Sequence, residues 1–338
     1  MQLIAATVLT GFLGSGKSTL LRRVLTEAHG RKIAVIENEF GEENIDSEII
    51  VSGGREQIVV MSNGCVCCSI RDDLRATLID LSDRRSTGDL DFEQVMIETT
   101  GLADPGPVAQ TFFLDDQVAS RYRPDAVLTM VDAKHAMSQL DERREARRQV
   151  GFADRIFISK ADLVTPSEVD ILSDRLWRMN SRAPQSLVPF GEVALTDVFD
   201  VGGFNLDSEL DLAFDGTHKG EPHVHTGHSY DHDDVKSFVF RSDRPFLGPR
   251  FSQFMNALIN SHGPRLLRYK GVLNLYGQNR KVVLQGVHQL MSHDVGIPWV
   301  QGEARVSRLV FIGIELPREL IMGSLQQCLA EASAVGSL

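Results

Sequence analysis

Cysteine is scarce: four residues in 338, three of them crowded into Cys65-Val66-Cys67-Cys68 and the fourth far away at Cys328. So few, so placed, do not make the disulfide framework of a small secreted fold, and thiol or metal chemistry in a reducing compartment is the better reading. Basic residues are outnumbered, 35 Lys plus Arg against 46 Asp plus Glu, for a formal net charge of −11. A surface of that sign on average repels phosphodiester polyanions, so nucleic acid is not an expected partner. Long apolar runs are missing. Nothing reaches the roughly 18 residues of a membrane span, and the apolar stretch MQLIAATVLTGFLGSGK has no basic region before it. The expectation is a cytoplasmic protein with no membrane partner. Repeats at solenoid periods are absent too. What is present, 42% hydrophobic and 24% charged residues over 338 positions, is an ordinary composition for a folded chain of about two domains.

The first 200 residues alternate short β-branched runs with amphipathic stretches: LIAATVLT, a helix from Lys17, then KIAVIE, QIVVM, QVMIET, AVLTMVD, RIFISK and QSLVPF. Parallel neighbours need long crossovers, so strands separated by helices predict an α/β fold with a doubly wound, mostly parallel sheet covered on both faces over residues 1–202. Residues 203–234, GFNLDSELDLAFDGTHKGEPHVHTGHSYDHDD, are polar, acidic and histidine-rich, which is linker composition. Over 235–338 the runs VKSFVFRS, FSQFMNALINS, LLRYKGVLNLYG, KVVLQGVHQ and RLVFIGIELP, with a closing helix from Pro317 to about Ala332, predict the order β, α, β, β, β, α. That is a smaller α+β domain with an antiparallel sheet.

Gly11-Phe12-Leu13-Gly14-Ser15-Gly16-Lys17-Ser18 fits G-x-x-x-x-G-K-[ST] and stands between a strand and a helix, the context a phosphate-binding loop requires. The residues expected to hold nucleotide are Gly11, Gly14, Ser15, Gly16, Lys17, Ser18 and Thr19. The glycines let backbone N–H groups turn toward phosphate, the helix N-terminus adds favourable field, Lys17 supplies a cation and Ser18 a ligand for Mg2+. QVMIETTGLADPGP then supplies Glu98 as the second acidic partner of Mg2+ and Gly101 as a backbone donor to a γ-phosphate, an ExxG variant of DxxG. A helix-capping Glu is the plainer alternative. RIFISKADL places Lys160 and Asp162 after a strand, and a carboxylate at Asp162 can accept from both N1–H and the exocyclic amine of guanine, whereas adenine offers neither donor there. GTP is therefore expected over ATP. Ser159 stands where Asn is usual in such an element, removing an amide that commonly braces base and phosphate loop. Lys17, Ser18 and Glu98 are the expected catalytic set.

Three thiolates at Cys65, Cys67 and Cys68 suit a borderline ion such as Zn2+, with a fourth ligand from elsewhere. Cys65 and Cys67 point the same way on extended chain, and Glu37, Glu39 or Glu42, after a strand end, can add one oxygen. Small buried hydrophobes or a redox pair are the alternatives. His218, His223, His225, His228 and His232 make a tract suited to loose binding of divalent ions, if it is not simply a solvated linker. The isolated histidines, His29, His135, His262, His288 and His293, read as surface or core residues with satisfied rings. DERREARRQ near residue 145 reads as an exposed helix face.

Taken together, GFLGSGKSTLLRR, IENEFGE, NGCVCC, ETTGLADPGPV and SKAD resemble the CobW-type GTPases, relatives of the nickel chaperones for hydrogenase and urease. LLRYKG, LQGVHQ and FIGIELP resemble that family's second domain, and TGLADPGPVAQTFF points to its YjiA-like branch. The resemblance implies a metallochaperone in which Cys65, Cys67 and Cys68 bind Zn2+, or Co2+, and GTP hydrolysis controls delivery to an unknown client metalloprotein. No residue announces itself as a water-positioning Gln or an arginine finger. Slow intrinsic turnover, of the order of 10⁻⁴ to 10⁻² s⁻¹, is expected, with a partner or a homo-oligomer supplying the rest. The rival readings are a P-loop kinase acting on a small molecule and a passive metal buffer with a vestigial nucleotide site.

Overall fold

The computed structural model describes residues 3–26, 31–38, 49–52, 56–61, 70–188, 192–204, 233–300 and 302–331. The chain divides into two compact units, Met1–Leu176 with Ala183–Phe204, and Trp177–Arg182 with Asn205–Leu338.

The first unit is built on an eight-stranded sheet. Its strands are β1 (Ile4–Gly11), β2 (Ile33–Asn38), β3 (Ile49–Ser52), β4 (Glu56–Met61), β5 (Gln94–Glu98), β6 (Tyr122–Asp132), β7 (Arg155–Ser159) and β8 (Gln185–Val188), in the order β3-β4-β2-β5-β1-β6-β7-β8. All pairs are parallel except β3 against β4. β1 is buried along its whole length, as a strand covered on both faces must be. On one face α1 (Lys17–Thr26) lays Leu20, Leu21 and Val24 on Leu9, Met96 and Leu128. Farther along come α2 (Ile70–Thr87), α3 (Pro105–Leu114), α4 (Asp116–Ala119), α5 (Ala136–Glu142), α6 (Arg144–Phe152) and α7 (Pro166–Met179). α3 starts sharply because Asp104 accepts from Gly106 N and Pro105 opens the first turn.

The second unit holds a five-stranded antiparallel sheet, β9 (Val235–Ser242), β10 (Leu266–Leu273), β11 (Arg280–Val287), β12 (Leu290–Pro298) and β13 (Ser307–Ile314), in the order β12-β11-β10-β13-β9. Alternate residues, among them Phe238, Phe240, Tyr269 and Phe311, form one core with Phe251, Met255 and Leu258 of α8 (Gly248–His262) and with Ile321 and Leu325 of α9 (Arg318–Gln327).

Four expectations are corrected. β3 was not foreseen, being four residues long at an edge. Nor was β12, an edge strand whose exposed face needs no apolar alternation, so the second unit runs β, α, β, β, β, β, α. α9 stops at Gln327 rather than near Ala332. Beyond it the backbone pairs with the 245–247 segment, Leu247 N donating to Cys328 O and Ala330 N to Pro245 O. Finally, α6 is not an exposed charged face: Arg147 and Gln149 are buried with Ala146 and Val150, and the Arg147 guanidinium donates to Leu140 O and Asp141 O at the end of α5.

Candidate functional site

Ligands of open parallel sheets bind beyond the carboxyl ends of the strands where the chain diverges to either side, and here β1 delivers its loop between β5 and β6. Gly14 and Gly16 have φ of 75° and 96°, a range strained for any residue carrying a Cβ. Ser15 N donates to Phe12 O at 3.2 Å and closes the turn. α1 begins at Lys17, so the N–H groups of its first turn have no intrahelical acceptor and face outward as an anion cradle. Lys17 Nζ, buried, donates to Gly11 O at 2.8 Å and to Phe12 O at 3.4 Å. Burial pushes its pKa down, and Glu98 pulls it back up. Thr19 is exposed beside Ser18.

Glu98 ends β5 with Leu9 as its register partner on β1 and Glu37 as its partner on β2. Ser18 Oγ donates to Glu98 Oε1 at 3.0 Å. A hydroxyl and a carboxylate meeting at a helix N-terminus are hard oxygen donors of the kind Mg2+ takes while keeping several waters. Two buried hydroxyls in the loops of this site, Ser15 Oγ and Thr100 Oγ1, have no hydrogen-bond partner, which fits a place built to receive a polar ligand. Gly101 presses on the phosphate loop: a Cβ there would come within 2.6 Å of Leu13 N.

On the other side β6 and β7 meet at Asp132 and Ser159. Lys160, in a left-handed conformation at φ 56°, donates through Nζ to Gly14 O at 2.7 Å and to Asp132 Oδ2 at 2.6 Å. Asp132 is 2% exposed and also takes Lys134 N at 2.9 Å, with His135 Nδ1 3.0 Å away. Burial alone would raise its pKa, but the bonds from Lys160 and His135 outweigh burial and hold the carboxyl below its ordinary value. Asp162 stands exposed on the single 3-10 turn Ala161–Leu163. The brace that Ser159 was expected to lack is present in another form. Its hydroxyl lies 2.8 Å from Ser15 O and 3.2 Å from Val131 O, tying β7 to the phosphate loop with a shorter side chain.

Asp132 is the residue that sequence reasoning missed. An acid closing the otherwise apolar run AVLTMVD at a strand's carboxyl end was the available signal. Among the expected metal residues, Glu37 ends β2, half-buried. β4 pairs with β2 up to Met61↔Asn38, with Val60 opposite Glu37, and Met61 stands four positions before Cys65 in the sequence. Cys65, Cys67, Cys68, Glu39, Glu42 and the histidines His218, His223, His225, His228 and His232 lie outside the described residues. Within the described residues no group of three or more His, Cys, Asp or Glu is arranged to hold a metal, and no helix is long and apolar enough to cross a membrane.

Comparison with known proteins adds four findings. Residues 5–186 match the family described as CobW/HypB/UreG, nucleotide-binding domain, and residues 235–329 match the cobalamin synthesis protein cobW C-terminal domain. Over 322 residues the chain is 42% identical to zinc chaperone YjiA of Escherichia coli, covering 95% of this chain and 97% of that one. It is 27% identical to zinc-regulated GTPase metalloprotein activator 1 of Saccharomyces cerevisiae, over 96% of this chain and 83% of that one. The crystal structure of the Zn(II)-bound Escherichia coli YjiA GTPase superposes with a TM-score of 0.78 at 37% identity, covering 98% of this chain and all of that one.

Proposed function

The chain belongs to the CobW/HypB/UreG family, and we propose that it is a zinc metallochaperone in which GTP binding and hydrolysis govern transfer of the ion to a client metalloprotein. The observation that carries this reading is the register of β2 on β5, which seats Glu37 beside Glu98. Glu98 touches Ser18 of the phosphate loop, and Glu37 pairs with Val60 of β4, five positions before Cys65 in the sequence. A change at the terminal phosphate therefore has a path of one register pair from Glu98 to Glu37, the oxygen that this reading lends to the cargo ion.

In this reading Gly11, Gly14, Ser15, Gly16, Lys17, Ser18 and Thr19 cradle the phosphates, and Lys160 and Asp162 read guanine. Ser18 and Glu98 hold Mg2+, which when bound neutralises charge on the phosphate oxygens. Gly101 offers its N–H to the γ-phosphate, so that group is read on the Glu98–Asp104 segment. Lys17 leaves its two loop carbonyls for phosphate oxygens when nucleotide enters, a move toward a better partner for a desolvated ammonium. Cys65, Cys67 and Cys68, with an oxygen from Glu37 or Glu42, carry Zn2+ as cargo; Co2+ fits the same thiolates, and His223, His225, His228 and His232 bind loosely. Residues 1–202 form the GTPase domain, 203–234 the acidic linker and 235–338 the second domain of a cytoplasmic protein. Intrinsic hydrolysis is slow.

The test is a zinc titration against a chromophoric chelator, with the protein loaded with GDP or with a non-hydrolysable GTP analogue. A tenfold difference in zinc affinity between the two states, about 1.4 kcal/mol of coupling, is the expected result, and zinc must then change the ratio of analogue to GDP affinity by the same factor. Cys67→Ala should lose the tight site while retaining nucleotide binding. Equal zinc affinity in both states removes the coupling, and absence of phosphate release from GTP removes the enzyme.

A further inference from the structure

The segment between Glu98 and α3 is gripped by two consecutive residues of α6. Gln149, 1% exposed, donates through Nε2 to Gly101 O at 3.1 Å and to Ala103 O at 3.0 Å. Arg148 Nη1 donates to Asp104 Oδ2 at 2.6 Å, while Asp104 Oδ1 takes Gly106 N and caps α3. α6 is itself fixed to the sheet, since Thr129 Oγ1 of β6 donates to Gln149 O at 3.0 Å. Both amide protons of a buried Gln thus go to carbonyls on either side of Leu102, and an ion pair anchors the far end. No other side chain among the described residues donates to the 101–104 backbone. Opposite this grip, Gly101 lies directly against the Leu13 backbone.

We infer that Gln149 and Arg148 are positioning residues for the γ-phosphate: they hold Gly101 closed on the phosphate loop, so that its N–H is in place before GTP arrives. This rests on the GTP reading given above. GDP makes no use of Gly101, whereas GTP does, so the grip raises the affinity for GTP selectively. A carboxylate in place of the Gln149 amide has the same shape but would face two carbonyl oxygens with no proton to give.

The experiment compares Gln149→Glu and Arg148→Met with the unmodified chain, using fluorescent GDP and a fluorescent non-hydrolysable GTP analogue, with thermal unfolding recorded for each. The expected result for Gln149→Glu is an analogue dissociation constant raised about tenfold, or 1.4 kcal/mol, with that of GDP unchanged. Arg148→Met should shift the ratio in the same direction by a smaller factor, and it carries the test by itself if the buried variant does not fold. An unchanged ratio with GDP binding intact overturns the inference, as does a parallel loss of both nucleotides. Failure of the unmodified chain to bind either nucleotide overturns the GTP reading itself, an outcome distinct from both.

Discussion

The two flanks of the phosphate loop are held differently. On the β6–β7 flank, three side chains from strand ends reach the loop or one another: Ser159 to Ser15 O, Lys160 to Gly14 O, and Asp132 to Lys160. On the β5 flank the 101–104 segment touches the loop through the bare Cα of a glycine and is held from behind by one helix. A base is present in every nucleotide state, whereas a γ-phosphate comes and goes. The flank that would read the base is bonded to the loop directly by side chains, whereas the flank that would read the phosphate is held from behind, by two amide bonds and one ion pair from α6.

The largest break strikes both flanks at once. Lys17→Ala removes the cation that GDP and GTP share, and truncating one member of a buried charge pair costs roughly 2 to 5 kcal/mol, so both nucleotides should weaken by about a hundredfold. Fluorescent nucleotide titration checks it, and thermal unfolding should be unaffected, because a desolvated ammonium contributes little to the empty fold. Normal affinity in this variant would contradict the assignment of the loop.

Asp132→Asn sharpens the contrast between flanks. It keeps the shape of the side chain but removes the charge that anchors Lys160, a charge-assisted bond of about 1.5 to 3 kcal/mol. GDP and GTP analogue should weaken together by about tenfold, the opposite of the selective effect expected of Gln149→Glu. A GTP-selective loss here would mean that the two flanks are not independent.

Most of this architecture was legible in the residues, and the failures have physical causes. G-x-x-x-x-G-K-S, ExxG and K-x-D mark strand ends because their chemistry needs fixed backbone, and each falls at the carboxyl edge of the same sheet. β3 and β12 were illegible because edge strands are short or exposed and carry no buried alternation. Arg147 to Gln149 read as a solvated charge run because sequence cannot say where long polar side chains find partners, and here they find carbonyls of α5 and of the 101–104 segment. Ser159 misled for a related reason. With Asn usual there, the loss of its amide reads as the loss of a brace, but β7 runs close enough for a hydroxyl to supply one.

Acid should loosen the base flank through Asp132. The Asp132 carboxyl is held below its ordinary value of 3.8, so the folded protein binds that proton less readily than the unfolded chain. The sign follows: its contribution to stability is complete at pH values well above 3.8 and is lost as pH falls from there through the folded value. Urea unfolding followed between about pH 6 and pH 3 should show a shallower decline in Asp132→Asn than in the unmodified chain. Parallel curves would mean that the Lys160 and His135 bonds do not survive in solution.

The smallest expected effect concerns Ser159. Its hydroxyl has one proton and two carbonyls within reach, and the shorter contact, to Ser15 O, is the one that ties β7 to the phosphate loop. Ser159→Ala deletes about 0.5 to 1.5 kcal/mol of hydrogen bonding and leaves Ser15 O short of a donor. Because the brace belongs to the base flank, GDP and GTP analogue should weaken together by a few-fold, with a small drop in unfolding temperature. Ser159→Asn is the complementary change. The site is 4% exposed, so a larger amide has to displace the loop that the hydroxyl fits, and overpacking of this kind costs about 1 to 3 kcal/mol. If Ser159→Asn instead binds both nucleotides more tightly at unchanged stability, the hydroxyl is a weaker substitute for the amide and the base flank is less well braced than its hydrogen bonds imply.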